Sequence, residues 1–147
     1  MAETIEQVLQ RKGGGIWSIA PDATVYDALA MMADREVGAL LVMQDGRLVG
    51  IISERDYARK VILQGLSSRE THVREIMTGS PVTVTPENTV EDCMRVMTHH
   101  RVRHLPVVDA ERVLGVVSIG DMVRAIISDQ AETIGHLNAY IAVKYPA

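Results

Sequence analysis

Two stretches of the chain bring together groups that can do chemistry. One is Gly50-Ile51-Ile52-Ser53-Glu54-Arg55-Asp56, echoed downstream by Gly115-Val116-Val117-Ser118-Ile119-Gly120-Asp121. The other is Val102-Arg103-His104-Leu105-Pro106-Val107-Val108-Asp109. A Ser-x-x-Asp pair after an apolar run has two readings. In the first it caps a helix: the hydroxyl accepts from the amide three residues on, and the carboxylate reaches back to the serine amide. In the second it is a ligand site. Free N–H groups and the helix dipole favour anions there, and an aspartate can accept a pair of hydrogen bonds from ribose hydroxyls, as at other nucleotide sites. Arg103 and His104, next to Pro106, add positive charge suited to phosphate. His104 also brings a pH dependence, because an unperturbed imidazole titrates near ~6.5.

Other chemistries find less support. Ser53 and Ser118 have no histidine at a local spacing that would activate them. His99, His100 and His104 cluster, but neighbouring side chains on a helix diverge by about 100°. No second cysteine or His-Glu-x-x-His pattern completes a metal site, so these read as partly exposed histidines near a helix C-terminus.

The elements that must position these groups are set by an internal repeat. Sliding the chain on itself by 65 residues aligns Trp17–Tyr57 with Val82–Met122 without a gap, with 12 identities in 41 positions. Pro21, Thr24 and Asp27 fall on Pro86, Thr89 and Asp92, and Gly50, Ser53 and Asp56 fall on Gly115, Ser118 and Asp121. Self-similarity of this kind dictates architecture. Each unit opens with a short extended segment, 17–19 or 82–84. Thr24 and Thr89 then cap a helix carrying Val25, Ala28, Leu29, Met32 and Ala33, or Val90, Cys93, Met94 and Met97, at helical spacing. Two apolar strands follow, 39–43 and 48–52 or 105–108 and 113–117, the first pair joined through Asp45-Gly46. A second helix starts at Ser53 or Ser118. Cys93 holds the place of Ala28 in the other unit, which marks it as packing rather than nucleophile.

The expected organisation is an N-terminal helix and glycine linker (1–16), repeat one (17–64), a linker (65–81), repeat two (82–129) and a separate C-terminal helix (130–147). In the linker, Val73–Met77 reads as one helical turn stopped by Gly79-Ser80-Pro81. The first helix carries Ile5, Val8 and Leu9 on one face; the last carries Ile134, Leu137, Ile141 and Tyr145. Units this small bury too little apolar surface alone, so the two should pack as one α/β globule.

Composition narrows the function classes. The 147 residues are 47% hydrophobic and 23% charged, an ordinary globular balance. Apolar runs such as 39–43 are far too short to span a bilayer. A net charge of −4, with aromatics at 3%, argues against nucleic-acid binding. The acidic N-terminus lacks the regions of a signal peptide, and a single cysteine forms no internal disulfide, so the cytoplasm is the expected compartment.

With these residues in view, 17–127 resembles a tandem pair of CBS (cystathionine-beta-synthase) domains, a Bateman module. The doubled Gly-aliphatic-aliphatic-Ser-x-x-Asp, the single Arg-His-Leu-Pro-Val, and Arg74-Glu75-Ile76-Met77-Thr78 before repeat two carry the resemblance. The flanking helices resemble those of stand-alone bacterial CBS pairs. The resemblance implies two β-α-β-β-α repeats packed sheet to sheet about a pseudo-twofold axis, with two clefts for adenosyl ligands such as AMP, ADP, ATP, S-adenosylmethionine or NAD(H). It assigns Asp56 and Asp121 to ribose, with Ser53 and Ser118 beside them, and Arg103, His104 and Arg55 to phosphate. The backbone at Ile19 and Val84 would line the base. Gly38 and Ala39 stand in repeat one where repeat two has Arg103 and His104, so the clefts should be unequal. The function so implied is a non-catalytic sensor of energy or redox state, acting through an effector protein or as a homodimer. The alternative is a structural interaction module with vestigial clefts.

Overall fold

The computed structural model describes residues 3–13 and 15–144, with side chains described through 130 and at Ile134. Helix α1 (Ile5–Lys12) starts at a capping box made by Thr4 and Gln7 and ends at Gly13. Repeat one then runs β1 (Ser18–Ile19), α2 (Val25–Arg35), β2 (Ala39–Gln44), β3 (Arg47–Ser53), α3 (Glu54–Tyr57) and a π-helical turn, Ala58–Ile62. The linker supplies α4 (Val73–Ile76) and β4 (Thr78–Gly79). Repeat two follows with α5 (Val90–His100), β5 (His104–Asp109), β6 (Arg112–Ser118) and α6 (Ile119–Lys144).

Repeat one forms a four-stranded sheet in the order β1-β2-β3-β4, with β1 parallel to β2 and the other pairs antiparallel. In repeat two β5 and β6 pair in the same register, Leu105 opposite Val117 as Leu40 is opposite Ile52. The expected opening strand at 82–84 contracts there to one parallel bridge, Val84 to Val107. The strand β4 was not expected: after the α4 turn, Thr78 and Gly79 pair with Ile51 and Gly50 instead of leaving as a loop.

Strand alternation divides the apolar residues into three cores. Leu40, Val42 and Ile52 face α2 and pack on Val25, Ala28 and Met32. Leu105, Val107 and Val117 do the same with Val90, Cys93 and Met97. The opposite faces meet each other: Ala39, Leu41 and Ile51 of repeat one pack with Val113 and Val116 of repeat two. The two units form one globule, as their small size requires, and pack sheet to sheet as the resemblance implies.

The crossing of the two leading segments ties the halves further. Helix α1 precedes repeat one but completes repeat two, burying Ile5 and Val8 in its core. The Ile5 and Glu6 amides donate to Asn88 and Pro86 carbonyls, and the Val90 amide donates to Glu3. Helix α4 precedes repeat two but buries Val73 and Ile76 in repeat one, with the Val25 amide on Thr71 and the Val73 amide on Ala23. Repeat-equivalent glycines admit both segments. A Cβ on Gly50 would lie 2.9 Å from the Thr78 carbonyl oxygen, and one on Gly115 would lie 3.1 Å from Leu9 Cδ2.

The C-terminal part corrects the expected organisation. No helix boundary falls near 130, because residues 121–135 contain neither proline nor glycine before Gly135 to interrupt the helix, and α6 runs unbroken for 26 residues. Ile134 is 57% exposed on it; the side chains of Leu137 and Ile141, and Tyr145 as a whole, lie outside the described residues.

The glycine contacts give a graded test. Gly50→Ala forces a Cβ against backbone and should cost about 1–3 kcal/mol, the overpacking range. Gly115→Ala meets only the end of a leucine side chain and should cost less. Urea unfolding of both variants measures the order, and an equal or reversed cost would contradict this account of how the leading segments dock.

Candidate functional site

Both Ser-x-x-Asp pairs are helix caps in the structure. The Ser53 amide and hydroxyl donate to Asp56 Oδ2 at 2.9 and 3.1 Å, and the Asp56 amide donates back to Ser53 Oγ at 3.2 Å. The Ser118 amide donates to Asp121 Oδ2 at 2.8 Å and the Asp121 amide to Ser118 Oγ at 3.1 Å. The capping reading therefore holds at both positions, and any ligand role is additional to it. Each helix starts beside the opening of its own repeat's first long strand, with the Glu54 amide on the Gly38 carbonyl and the Ile119 amide on the Arg103 carbonyl.

The sheet-to-sheet packing leaves two clefts along the junction of the repeats. The first, about 550 Å³, is lined by Ser53, Arg55 and Asp56 of repeat one together with Arg103 and His104 of repeat two. The second, about 400 Å³, is lined by Ser118 and Asp121 of repeat two together with Gly38 and Ala39 of repeat one. The basic pair thus serves the cleft of the other repeat's aspartate, because the clefts lie across the pseudo-twofold axis. A depression of about 670 Å³ between the hairpin turns, near Gly46 and Glu111, is shallow and holds neither motif.

The Asp56 cleft is markedly cationic. Beside Arg55 and Arg103 it is lined by Arg59, Lys60 and Arg101, against the carboxylates of Glu54 and Asp56. Arg59, Lys60 and Arg101 were missed in the sequence. The signal for Lys60 is obscured because at the 65-residue spacing it matches Ala125, which is buried in repeat two. The π-helical turn accommodates the extra residue, so that Val61 takes the core place while Lys60 faces the cleft. Lys60 Nζ then lies 3.1 Å from Asp56 Oδ1 and 2.9 Å from the Ile76 carbonyl. Arg101 closes α5 in the left-handed region (φ 55°), a conformation disfavoured for non-glycine residues. The linker residues Thr78, Ser80 and Pro81 complete the wall.

The Asp121 cleft is differently furnished. Asp121 Oδ2 accepts from Lys12 Nζ at 2.9 Å, and Oδ1 pairs with the Arg124 guanidinium. Burial pushes this carboxyl up, but the bonds from Lys12, the Ser118 amide and Arg124, with the Lys12 charge, outweigh burial and hold it below its ordinary value. His104 borders both clefts. Burial first, then the Lys12 charge, lower its pKa against the opposing pull of Asp121. Its protonation is therefore displaced to more acid solution than an unperturbed imidazole's.

The resemblance puts the backbone at Ile19 and Val84 along the base, and neither residue is among those lining the two clefts. Ile19 and Val84 are buried in the cores of their own repeats. The residues that line the clefts come two to three positions earlier, Ile16 and Trp17 in one and Pro81 and Val82 in the other. Cys93 is buried, and burial with the nearby Asp92 charge pushes its thiol up to about 11, consistent with packing. Among the described residues no cluster of three metal-ligating side chains occurs, and no helix is long and apolar enough to cross a membrane.

The charge on Asp121 has a measurable acid signature. Its folded pKa is depressed, so its stabilisation is present above the unfolded value near ~4 and is lost as pH falls through the folded one. Asp121→Asn should cost about 1–2 kcal/mol at pH 7, tempered because Lys12 and Arg124 are partly solvated. The gap to the parent should close below about pH 4. Urea unfolding across that range checks it, and a gap independent of pH would contradict the ion-pair assignment.

Comparison with known proteins agrees with this geometry. The CBS domain family model matches residues 15–62 and 73–128. Its second match starts at Val73 and so takes in the linker helix α4. The chain is 46% identical over 151 residues to the CBS domain-containing protein CBSX3, mitochondrial, of Arabidopsis thaliana, covering 97% of this chain and 73% of that protein. Among solved structures, the CBS domain protein NE2398 superposes with a TM-score of 0.82 at 46% identity, over 86% of this chain and 99% of that one. The CBS domain pair of protein MJ0100, solved with 5′-methylthioadenosine and S-adenosyl-L-methionine, shares the fold at a TM-score of 0.78 and 23% identity, over 88% and 99% of the two chains. A doubled strand-to-helix motif, packed face to face and matched in both halves, makes this chain a tandem pair of CBS domains.

Proposed function

We propose that this CBS pair is a non-catalytic regulatory module that binds an adenine nucleotide in the Asp56 cleft. One observation carries the reading: five cationic side chains, Arg55, Arg59, Lys60, Arg101 and Arg103, line the same cleft as the Ser53–Asp56 pair. A volume of about 550 Å³ lies within the range of small-molecule sites. Phosphate oxygens gain charge-assisted bonds from arginines in such a setting, and the ribose faces Asp56 and Ser53. The adenosyl ligands of the MJ0100 pair support the base and ribose part of the assignment by analogy of fold. The phosphate part rests on this chain's own charges. AMP, ADP, ATP and NAD(H) all carry both parts, which suits a sensor of energy or redox state.

Output then passes to an effector protein or through self-association. The exposed stripe Ile119, Val123, Ile127 and Ile134 along α6 supports a homodimer. The single buried thiol suits a reducing compartment such as the cytoplasm, while the Arabidopsis relative is named as mitochondrial.

The cationic cleft predicts a ligand-dependent loss. Arg103→Ala should weaken AMP on the order of tenfold and leave adenosine nearly unchanged, since only phosphate meets the guanidinium. Raising the salt concentration should weaken AMP in the same selective way, because these cations are solvent-exposed. Isothermal titration calorimetry reads both. Equal losses for AMP and adenosine would overturn the phosphate assignment, and binding of neither would return the Asp56 cleft to a purely structural role.

A further inference from the structure

We infer that Lys12 is a built-in occupant of the Asp121 cleft, and that this protein consequently holds one nucleotide rather than two. The inference rests on the Asp56-cleft reading for the identity of the ligand, but on separate residues for its argument. Lys12 ends α1, and its ammonium lies 2.9 Å from Asp121 Oδ2 and 2.9 Å from the Val116 carbonyl oxygen. With the Ser118 amide also on Oδ2 and Arg124 on Oδ1, both oxygens of the carboxylate are already charge-paired. The Asp121 side chain is 4% exposed, against 15% for Asp56.

The two clefts differ in where their lysine comes from. Lys60 belongs to the same helical segment as Asp56 and contacts only Oδ1, leaving Oδ2 to neutral cap donors. Lys12 arrives from the other end of the chain. It is not on a loose tail: Thr4 caps α1, Ile5 and Val8 are buried in repeat two, and Leu9 sits against Gly115. Gly13, at φ 62°, turns the chain away directly after Lys12. The backbone that carries the ammonium is thus fixed before any ligand arrives, and two acceptors already lie within 2.9 Å of it. Ribose hydroxyls offered to Asp121 would have to replace a charge-assisted bond by neutral ones, and the exchange is unfavourable.

Removing the ammonium should open the second site. Titration calorimetry of the full chain with AMP, and in parallel with adenosine, should give one equivalent bound. Lys12→Ala should give two, the second in the Asp121 cleft. Lys12→Met removes the charge while keeping most of the stem, and should also give two; it serves if the alanine variant unfolds. A parent that binds none and a variant that binds one would uphold the role of Lys12 while sinking the Asp56-cleft reading. Two equivalents in the parent, or a variant count no higher than the parent's, would overturn the inference; a parent of two falling to one would make Lys12 a ligand contact instead.

Discussion

The structure depends on the need of two small sheets to cover each other. Each repeat can bury one face of its strands beneath its own helices, but the other face, Ala39, Leu41 and Ile51 or Val113 and Val116, has no helix available. A strand pair exposed on one apolar side is not stable by itself. Packing these faces together sets the pseudo-twofold relation, and that relation brings the start of β5 in repeat two to the Ser-x-x-Asp corner of repeat one. Arg103 and Asp56 share a cleft for this reason, although 47 positions separate them in the chain.

The leading segments convert this packing from contact into interlock. Because α1 completes repeat two and α4 completes repeat one, neither half owns all of its core. The same exchange makes the halves unequal. The segment docked on repeat two carries Lys12 into a cleft, whereas the segment docked on repeat one leads on to β4, Ser80 and Pro81 and forms a wall. Sequence differences of a few residues in these segments therefore decide what each cleft can hold, while the β2–β3 and β5–β6 hairpins keep the same register.

Much of this was legible in the sequence because the repeat doubles every signal. Thr24 and Thr89, Ser53 and Ser118, and the glycines ahead of them each appeared twice in register, so local caps and alternation could be checked against each other. The site was less legible where it depends on departures from the repeat. Lys60 lay hidden behind its alignment with Ala125 until the π-helical turn displaced it. Lys12 gave no local sign, since its partner is 109 residues away. Family likeness puts the backbone at Ile19 and Val84 along the base, whereas the residues that line the clefts lie two to three positions earlier and the Ile19 and Val84 side chains fill the cores. The apolar stripe from Ile134 onward reads as a separate helix, but no breaker precedes it between Asp121 and Ile134, so α6 continues through.

Amide chemical-shift mapping during an AMP titration tests the central claim most directly, because it reports location rather than affinity. The account predicts that the largest perturbations fall on Ser53, Glu54, Arg55, Asp56 and Arg103, with Ser118 and Asp121 nearly silent. Perturbations centred on Ser118 and Asp121, with the Asp56 cleft unmoved, would contradict it.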